Sequence, residues 1–120
     1  MRLQKGLLYV RKIDGELRNL FTPVMDVTDS DGPFRIFNLA VVRGTTEPSF
    51  DHATEFGVHG HRAKGHPYVE FKLATDQDLR ALVSNWSERP SSHISEWFER
   101  IRSGEGQVNE RAKQQILKLA

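Results

Sequence analysis

The sequence predicts an α+β domain, in which a mainly antiparallel sheet of four or five strands precedes two to three helices packed on one face. The first observation behind this prediction is a change of periodicity within Tyr68–Trp86. Residues 68–73 alternate, with Val69 and Phe71 on one side, as in a half-buried strand. The apolar residues that follow recur at helical spacing and are Leu79, Leu82, Val83 and Trp86. Strands are therefore expected over about 6–73 and helices over about 76–119, within a single domain of residues 1–120.

The second observation is a hairpin signal near the start of the chain. Gly6–Ile13 is rich in Leu, Tyr, Val and Ile, and Asp14-Gly15 follows it directly. This pair is typical of a type I′ turn, because both central positions of that turn need a positive φ. Glu16–Phe21 is expected to return antiparallel to the first strand.

The third observation concerns Phe34–Arg43, which is apolar on both faces. A strand of this kind lies centrally in a sheet and is covered on both sides, at least in part. Gly44–Phe50 is expected to be a loop, and Glu55–His59 has room for one further short strand.

Capping signals and apolar stripes define the helices. Thr75 and Asp78 form a variant capping box for the first helix, and Gly104 and Gly106 end the second. The second stripe consists of Ile94, Trp97, Phe98 and Ile101. A last helix from about Gln107 has an apolar face formed by Val108, Ala112, Ile116 and Leu119. Trp86, Trp97 and Phe98 are expected in the helix–sheet core, which leaves the second face of the sheet to meet a partner or another subunit.

Composition limits the classes of function. Seventeen Lys and Arg against sixteen Asp and Glu give a net charge of +1, so a nucleic-acid partner must be argued from local clusters of charge. The absence of cysteine excludes disulfides, thiolate metal sites and cysteine nucleophiles. The apolar run near the start is too short for a secretory signal or a membrane span, so a soluble cytoplasmic protein is expected.

Most of the histidines lie in a glycine-rich stretch, Asp51–His66, and these are His52, His59, His61 and His66. His59 and His61 project to the same side of an extended segment, and with His52 they can complete a site for zinc or another divalent metal. Arg62 and Lys64 instead favour anion binding together with His59, His61 and His66. A third interpretation is an exposed polar loop whose histidines are scattered.

A second candidate site lies on the predicted hairpin. A two-residue turn places Arg11 opposite Arg18 and Tyr9 opposite Leu20. Two arginines facing each other repel mildly unless they splay into water or meet acids, and beside Tyr9 they can form a phosphate clamp.

The sequence therefore favours a small cytoplasmic, non-enzymatic binding or regulatory protein. It is expected to act on a macromolecular partner, protein rather than nucleic acid, through a sheet face and the basic Gly/His loop. No membrane partner is expected, and the second sheet face leaves a homo-oligomer open. The alternative is a metal-dependent hydrolase or nuclease that uses His59 and His61.

Overall fold

An antiparallel sheet is the centre of the fold in a computed structural model, which describes residues 3–28, 34–41, 49–53, 68–84 and 91–120. Within those residues the sheet has five strands in the spatial order β4-β3-β2-β1-β5. They are β1 (Tyr9–Ile13), β2 (Glu16–Pro23), β3 (Phe34–Val41), β4 (Ser49–Ala53) and β5 (Val69–Leu73). Each neighbouring pair is antiparallel.

The helices follow the strands along the chain, which confirms the predicted α+β arrangement. They are α1 (Asp76–Ser84), α2 (Ser91–Arg102) and α3 (Glu110–Leu117), with a 3₁₀ turn at Glu105–Gln107 between the last two. The last helix begins three residues later than predicted because Asn109 caps it, its Oδ1 accepting from the Ala112 N–H at 2.9 Å.

The capping box at the start of α1 is confirmed in both directions. The Asp78 N–H donates to Thr75 Oγ1 at 3.1 Å, and the Thr75 N–H donates to Asp78 Oδ2 at 3.0 Å. Two backbone donors that the helix cannot satisfy internally are thus paired, and this fixes the point where β5 gives way to α1.

One face of the sheet packs against the helices and forms the larger core. Trp97 and Phe98 are buried there, as predicted, and their rings meet edge to face. Trp86 lies outside the described residues. The core is built by Leu8, Val10, Leu20, Phe37, Leu39, Ala40, Leu79, Leu82, Trp97, Phe98, Ile101, Ala112 and Ile116.

The opposite face of the sheet forms a second core, and this confirms that residues 34–41 are apolar and covered on both sides. Its members are no more than 6% exposed and are Leu3, Tyr9, Phe21, Val27, Phe34, Ile36, Val69 and Phe71. These side chains are buried within the monomer, so they do not form the open apolar surface that was expected to meet a partner or another subunit.

The β1–β2 hairpin has the predicted turn but a different register. Asp14 and Gly15 have φ values of 50° and 82°, as a type I′ turn requires. Arg11 nevertheless pairs with Asn19 and not with Arg18, because the register shifts between Arg11 and Lys12. The predicted pairing was wrong because Arg18 is the extra residue of a β-bulge.

Tyr9 likewise pairs with Phe21 and not with Leu20. Leu17 and Leu20 are three residues apart, so in a regular strand they would point to opposite faces. Because the bulge lies between them, both pack on the helix side of the sheet.

A second bulge lies in β3 and positions α2. Leu20 pairs with Ala40 and Phe21 with Asn38, so Leu39 is the skipped residue. The Leu39 carbonyl accepts the indole N–H of Trp97 at 2.6 Å in a buried position. The bulge thereby supplies an acceptor inside the helix-side core, where an unpaired indole N–H would be costly.

The fourth strand differs from its predicted position. Residues 49–53 pair with β3 over Phe34–Asn38, although Phe50 was assigned to a loop. Glu55–His59, where a further short strand was predicted, lies outside the described residues. Residues 49–53 form a strand because they pair with β3, since their composition of Ser, Phe, Asp, His and Ala has low strand propensity overall.

The turn between α2 and α3 is pressed onto the sheet. Gly106 has a φ of 83°, and a Cβ built on it would lie 2.6 Å from Cδ1 of Phe37. The Arg100 guanidinium holds the same turn by hydrogen bonds to both carboxylate oxygens of Glu105. The turn therefore combines a required backbone conformation, a close approach to a ring and a local ion pair.

We expect Gly106→Ala to lower the free energy of unfolding by about 2–4 kcal/mol, because it adds left-handed strain and a clash with Phe37. Gly104→Ala is the matched control. Its φ is 95°, but its Cβ would meet no described atom within 4 Å, so it should cost only about 1–2 kcal/mol of strain. Urea unfolding of both variants measures the difference, and equal losses would contradict the contact with Phe37.

The hydrogen bond and charge of Arg100 hold the pKa of the Glu105 carboxyl below its ordinary value of 4.5, against the opposing effect of burial. A depressed folded-state pKa stabilises the protein above the unfolded-state value, and this stabilisation is lost as pH falls through the folded-state pKa. We expect Glu105→Gln to be less stable than the parent at neutral pH. The difference should shrink once the pH falls below about 4.5.

Urea titrations between pH 7 and pH 2 measure this difference. In an Arg100→Gln background, Glu105→Gln should show little pH dependence. If the pH-dependent difference persists in that background, the cause lies in a group other than Arg100.

Candidate functional site

Most of the basic Gly/His loop, residues 54–66, lies outside the residues that the structure describes. His59, His61, Arg62, Lys64 and His66 all fall there, so their assignment to a metal site or an anion site stays a prediction. For His52 the structure gives only a backbone position, in β4 opposite Arg35 of β3.

Arg11 is the predicted site residue for which the structure shows the most specific environment. It is half-buried on β1, and its Nε–H donates to Oδ1 of Asn19 at 2.8 Å. The Asn19 amide in turn donates from Nδ2 to Oδ1 of Asn38 at 2.6 Å. The three side chains form a hydrogen-bonded row across β1, β2 and β3, which we call the polar row.

The polar row borders the second core. Arg11 pairs on its other side with Phe71, and Phe21 lies opposite both Tyr9 and Asn38. Asn19 is only 1% exposed, so the side-chain amide makes both of its hydrogen bonds with little access to water. An amide buried beside aromatic rings is tolerated because its donor and its acceptor are each paired.

The polar row restrains the guanidinium of Arg11. Because its Nε–H donates to Asn19, which is buried, the Arg11 guanidinium is restrained by the sheet at one of its nitrogens. A guanidinium held in this way recognises planar anions such as carboxylate or phosphate better than a freely rotating one, since less conformational freedom is lost on binding.

Arg18 lies next to the polar row without joining it. It precedes Asn19 in the bulge, its side chain is 45% exposed, and its guanidinium lies 3.5 Å from the carboxylate of Glu16. The bulge thus brings Arg11 and Arg18 to neighbouring positions, although they do not pair across the hairpin as predicted.

Tyr9 belongs to the second core. It is 2% exposed, its ring stacks on Phe21 with centroids 5.9 Å apart, and its hydroxyl accepts the N–H of Gln4 at 2.8 Å. The tyrosine therefore offers neither an open stacking face nor an open hydroxyl in this conformation. The phosphate clamp of Tyr9, Arg11 and Arg18 stays a prediction, with only the two arginines placed at the surface.

Two further properties concern membranes and metals. Within the described part of the chain, no helix has the length and apolar character needed to cross a bilayer. The same residues contain no group of three or more His, Cys, Asp or Glu side chains placed to hold a metal ion.

Comparison with protein-family models, with curated proteins and with solved structures finds no match for this chain. The site must therefore be argued from its own residues.

Sequence reasoning missed Asn19 and Asn38 as members of the site. A signal existed, because each asparagine interrupts a strand that is otherwise apolar at that point, in ELRNLFTP and FRIFNLAV. Asparagine is depleted in strands, so its presence in two central strands indicates side-chain pairing across the sheet. The pairing itself could not be read from the sequence because each strand contains a bulge.

We expect Asn19→Ala to lower the free energy of unfolding by about 2–3 kcal/mol, because it removes the acceptor of the Arg11 Nε–H and the donor to Asn38 Oδ1. A double-mutant cycle of Arg11→Ala and Asn19→Ala should give a coupling energy of about 1–2 kcal/mol. Arg18→Ala is the control and should cost less than about 1 kcal/mol, since its ion pair is exposed. A coupling energy near zero would show that the polar row does not orient Arg11.

Proposed function

We propose that this chain is a small cytoplasmic binding or regulatory protein without catalysis of its own, which acts on a macromolecular partner. The partner is a protein in preference to a nucleic acid. Contact is made by the second sheet face near the β1–β2 hairpin, at Arg11 and Arg18, together with the basic Gly/His loop of Asp51–His66.

The observation that supports this proposal is the hydrogen bond from half-buried Arg11 to buried Asn19, which is itself bonded to Asn38. Buried polar pairs contribute little net stability compared with apolar residues of the same size, because their desolvation offsets their attraction. A row of this kind on an apolar face is better explained by the need to direct a charge than by stability. An oriented guanidinium beside a second arginine suits an acidic group on a partner surface.

A protein partner is favoured because the charge is local and balanced. The net charge of +1 gives no broad basic field, which nucleic-acid binding usually requires. Arg18 beside the exposed Glu16 carboxylate instead matches a small patch of mixed charge, as at the rim of protein interfaces.

We expect a tagged full-length chain to retain a stoichiometric protein from native lysate, and nuclease treatment should not release it. Arg11→Ala and the double variant Arg62→Ala with Lys64→Ala should each weaken retention at least tenfold. Lys118→Ala, at the far end of α3, is the control and should retain the partner normally. Unfolding curves establish that each variant is folded.

The partner would be a nucleic acid and not a protein if nuclease treatment releases it and if the salt dependence of binding is reduced in the Arg62→Ala, Lys64→Ala variant. If no partner is retained, and bound metal and hydrolytic activity disappear in His59→Ala and His61→Ala, the binding proposal is wrong and the metal-dependent enzyme replaces it.

A further inference from the structure

The segment that precedes β1 covers the second core as a strap, by which we mean Leu3–Lys5. Leu3 is fully buried in that core, and within the described residues its backbone forms an isolated antiparallel bridge to Val27, which lies outside the five strands of the sheet. Gln4 and Lys5 are exposed. Of the three strap side chains, only that of Leu3 is buried, which is little apolar contact for a segment that closes a core.

The strap is recognised almost wholly through its backbone. Leu3 exchanges two hydrogen bonds with Val27, each of 2.9 Å. The next N–H, of Gln4, donates to the hydroxyl of Tyr9 at 2.8 Å, and the N–H of Lys5 donates to the Asp26 carboxylate at 2.9 Å. Three consecutive N–H groups therefore meet three different acceptors on the protein.

The strap has a defined pivot. Gly6, at a φ of 85°, forms the third position of a turn closed by the Leu7 N–H and the Gln4 carbonyl at 3.2 Å. The Gly6 carbonyl also accepts the N–H of Asn109 at 2.9 Å, and Leu8 is buried in the helix-side core. The chain is thus held firmly from Gly6 onward, and opening can stop at that residue.

We propose that the strap is an autoinhibitory segment, which occupies the site where an extended peptide of the partner binds. This inference rests on the proposed binding function and names the partner's chemistry. The strap shows which ligand the site takes: an extended backbone, a large aliphatic side chain in the place of Leu3, and no proline at the next two positions. The ligand adds to the protein by backbone pairing with Val27.

The Asp26 carboxylate gives the site a preference for charge. It accepts the backbone N–H of Lys5 itself, so a basic residue at that position is favoured over an acidic one. When the strap is displaced, the Tyr9 hydroxyl and the Val27 backbone become available to the ligand. Displacement therefore turns residues that are internal in the closed chain into a recognition surface.

Two full-length variants set the strap open or closed. Gln4→Pro removes the N–H that donates to Tyr9 and leaves the buried Leu3 unchanged. Leu3→Cys with Val27→Cys locks the strap on oxidation, because a hydrogen-bonded antiparallel pair has Cα atoms about 5.5 Å apart, within the range of a disulfide. The chain has no other cysteine to interfere.

The probe is a fluorescent peptide of residues 1–5, acetylated and amidated, and its Leu3→Asp version is the control peptide. We expect Gln4→Pro to bind the probe at least tenfold more tightly than the parent chain, whose own strap competes at high effective concentration. The oxidised double-cysteine variant should not bind, and reduction should restore binding. The control peptide should not bind any variant.

Hydrogen exchange on the parent chain tests the opening without any substitution. The Val27 amide, which donates to Leu3, should exchange at least tenfold faster than the amides of the β1–β2 ladder. Exchange of Val27 only with global unfolding would overturn the inference, as would equal probe binding to the open and locked variants. A concentration-dependent dimer in Gln4→Pro that the lock abolishes would assign the site to a second copy of this chain, and the partner peptide would be wrong.

These outcomes are separable from those of the proposed function. A partner retained equally by the parent and by the locked variant would leave the binding function intact and remove the strap from it. Retention lost in the locked variant and regained on reduction supports both.

Discussion

The fold depends on a sheet that is apolar on both faces. Phe21 and Ile36 belong to one core, whereas Leu20 and Phe37 belong to the other, and these pairs are adjacent along two central strands. A sheet of this kind exposes two hydrophobic surfaces if it stands alone, and each must be removed from water. The helices cover one surface. On the other, Leu3 and Val27 join the strand side chains in the second core.

The two bulges keep these surfaces in alignment. In an uninterrupted antiparallel pair, side chains alternate strictly, so one extra residue moves a side chain to the opposite face unless the backbone absorbs it. Arg18 and Leu39 are the absorbed residues. The first brings a charged residue beside the polar row, and the second presents a carbonyl to Trp97. The same kind of irregularity thus places a charged side chain in one strand and a buried acceptor in the other.

Local chemistry could be predicted from the sequence, whereas pairing could not. The Thr75–Asp78 box and the Asp14-Gly15 turn depend only on residues within a few positions of each other, and both occur as predicted. The helical stripes were readable for the same reason. The bulges, the location of β4 and the amide chain from Arg11 to Asn38 are decided by segments distant along the sequence. The intrinsic strand propensity of a residue carries no information about which distant segment it will pair with.

The bulged strands also bear on how this sequence can change over evolutionary time. Losing a residue from either strand, other than the bulged Arg18 or Leu39, would reverse the orientation of every side chain on one side of the deletion, so apolar groups would replace polar ones at the surface. Substitutions that keep residue size are far milder. Descendants of this protein should therefore differ in length within their connecting segments, while β2 and β3 keep a constant number of residues.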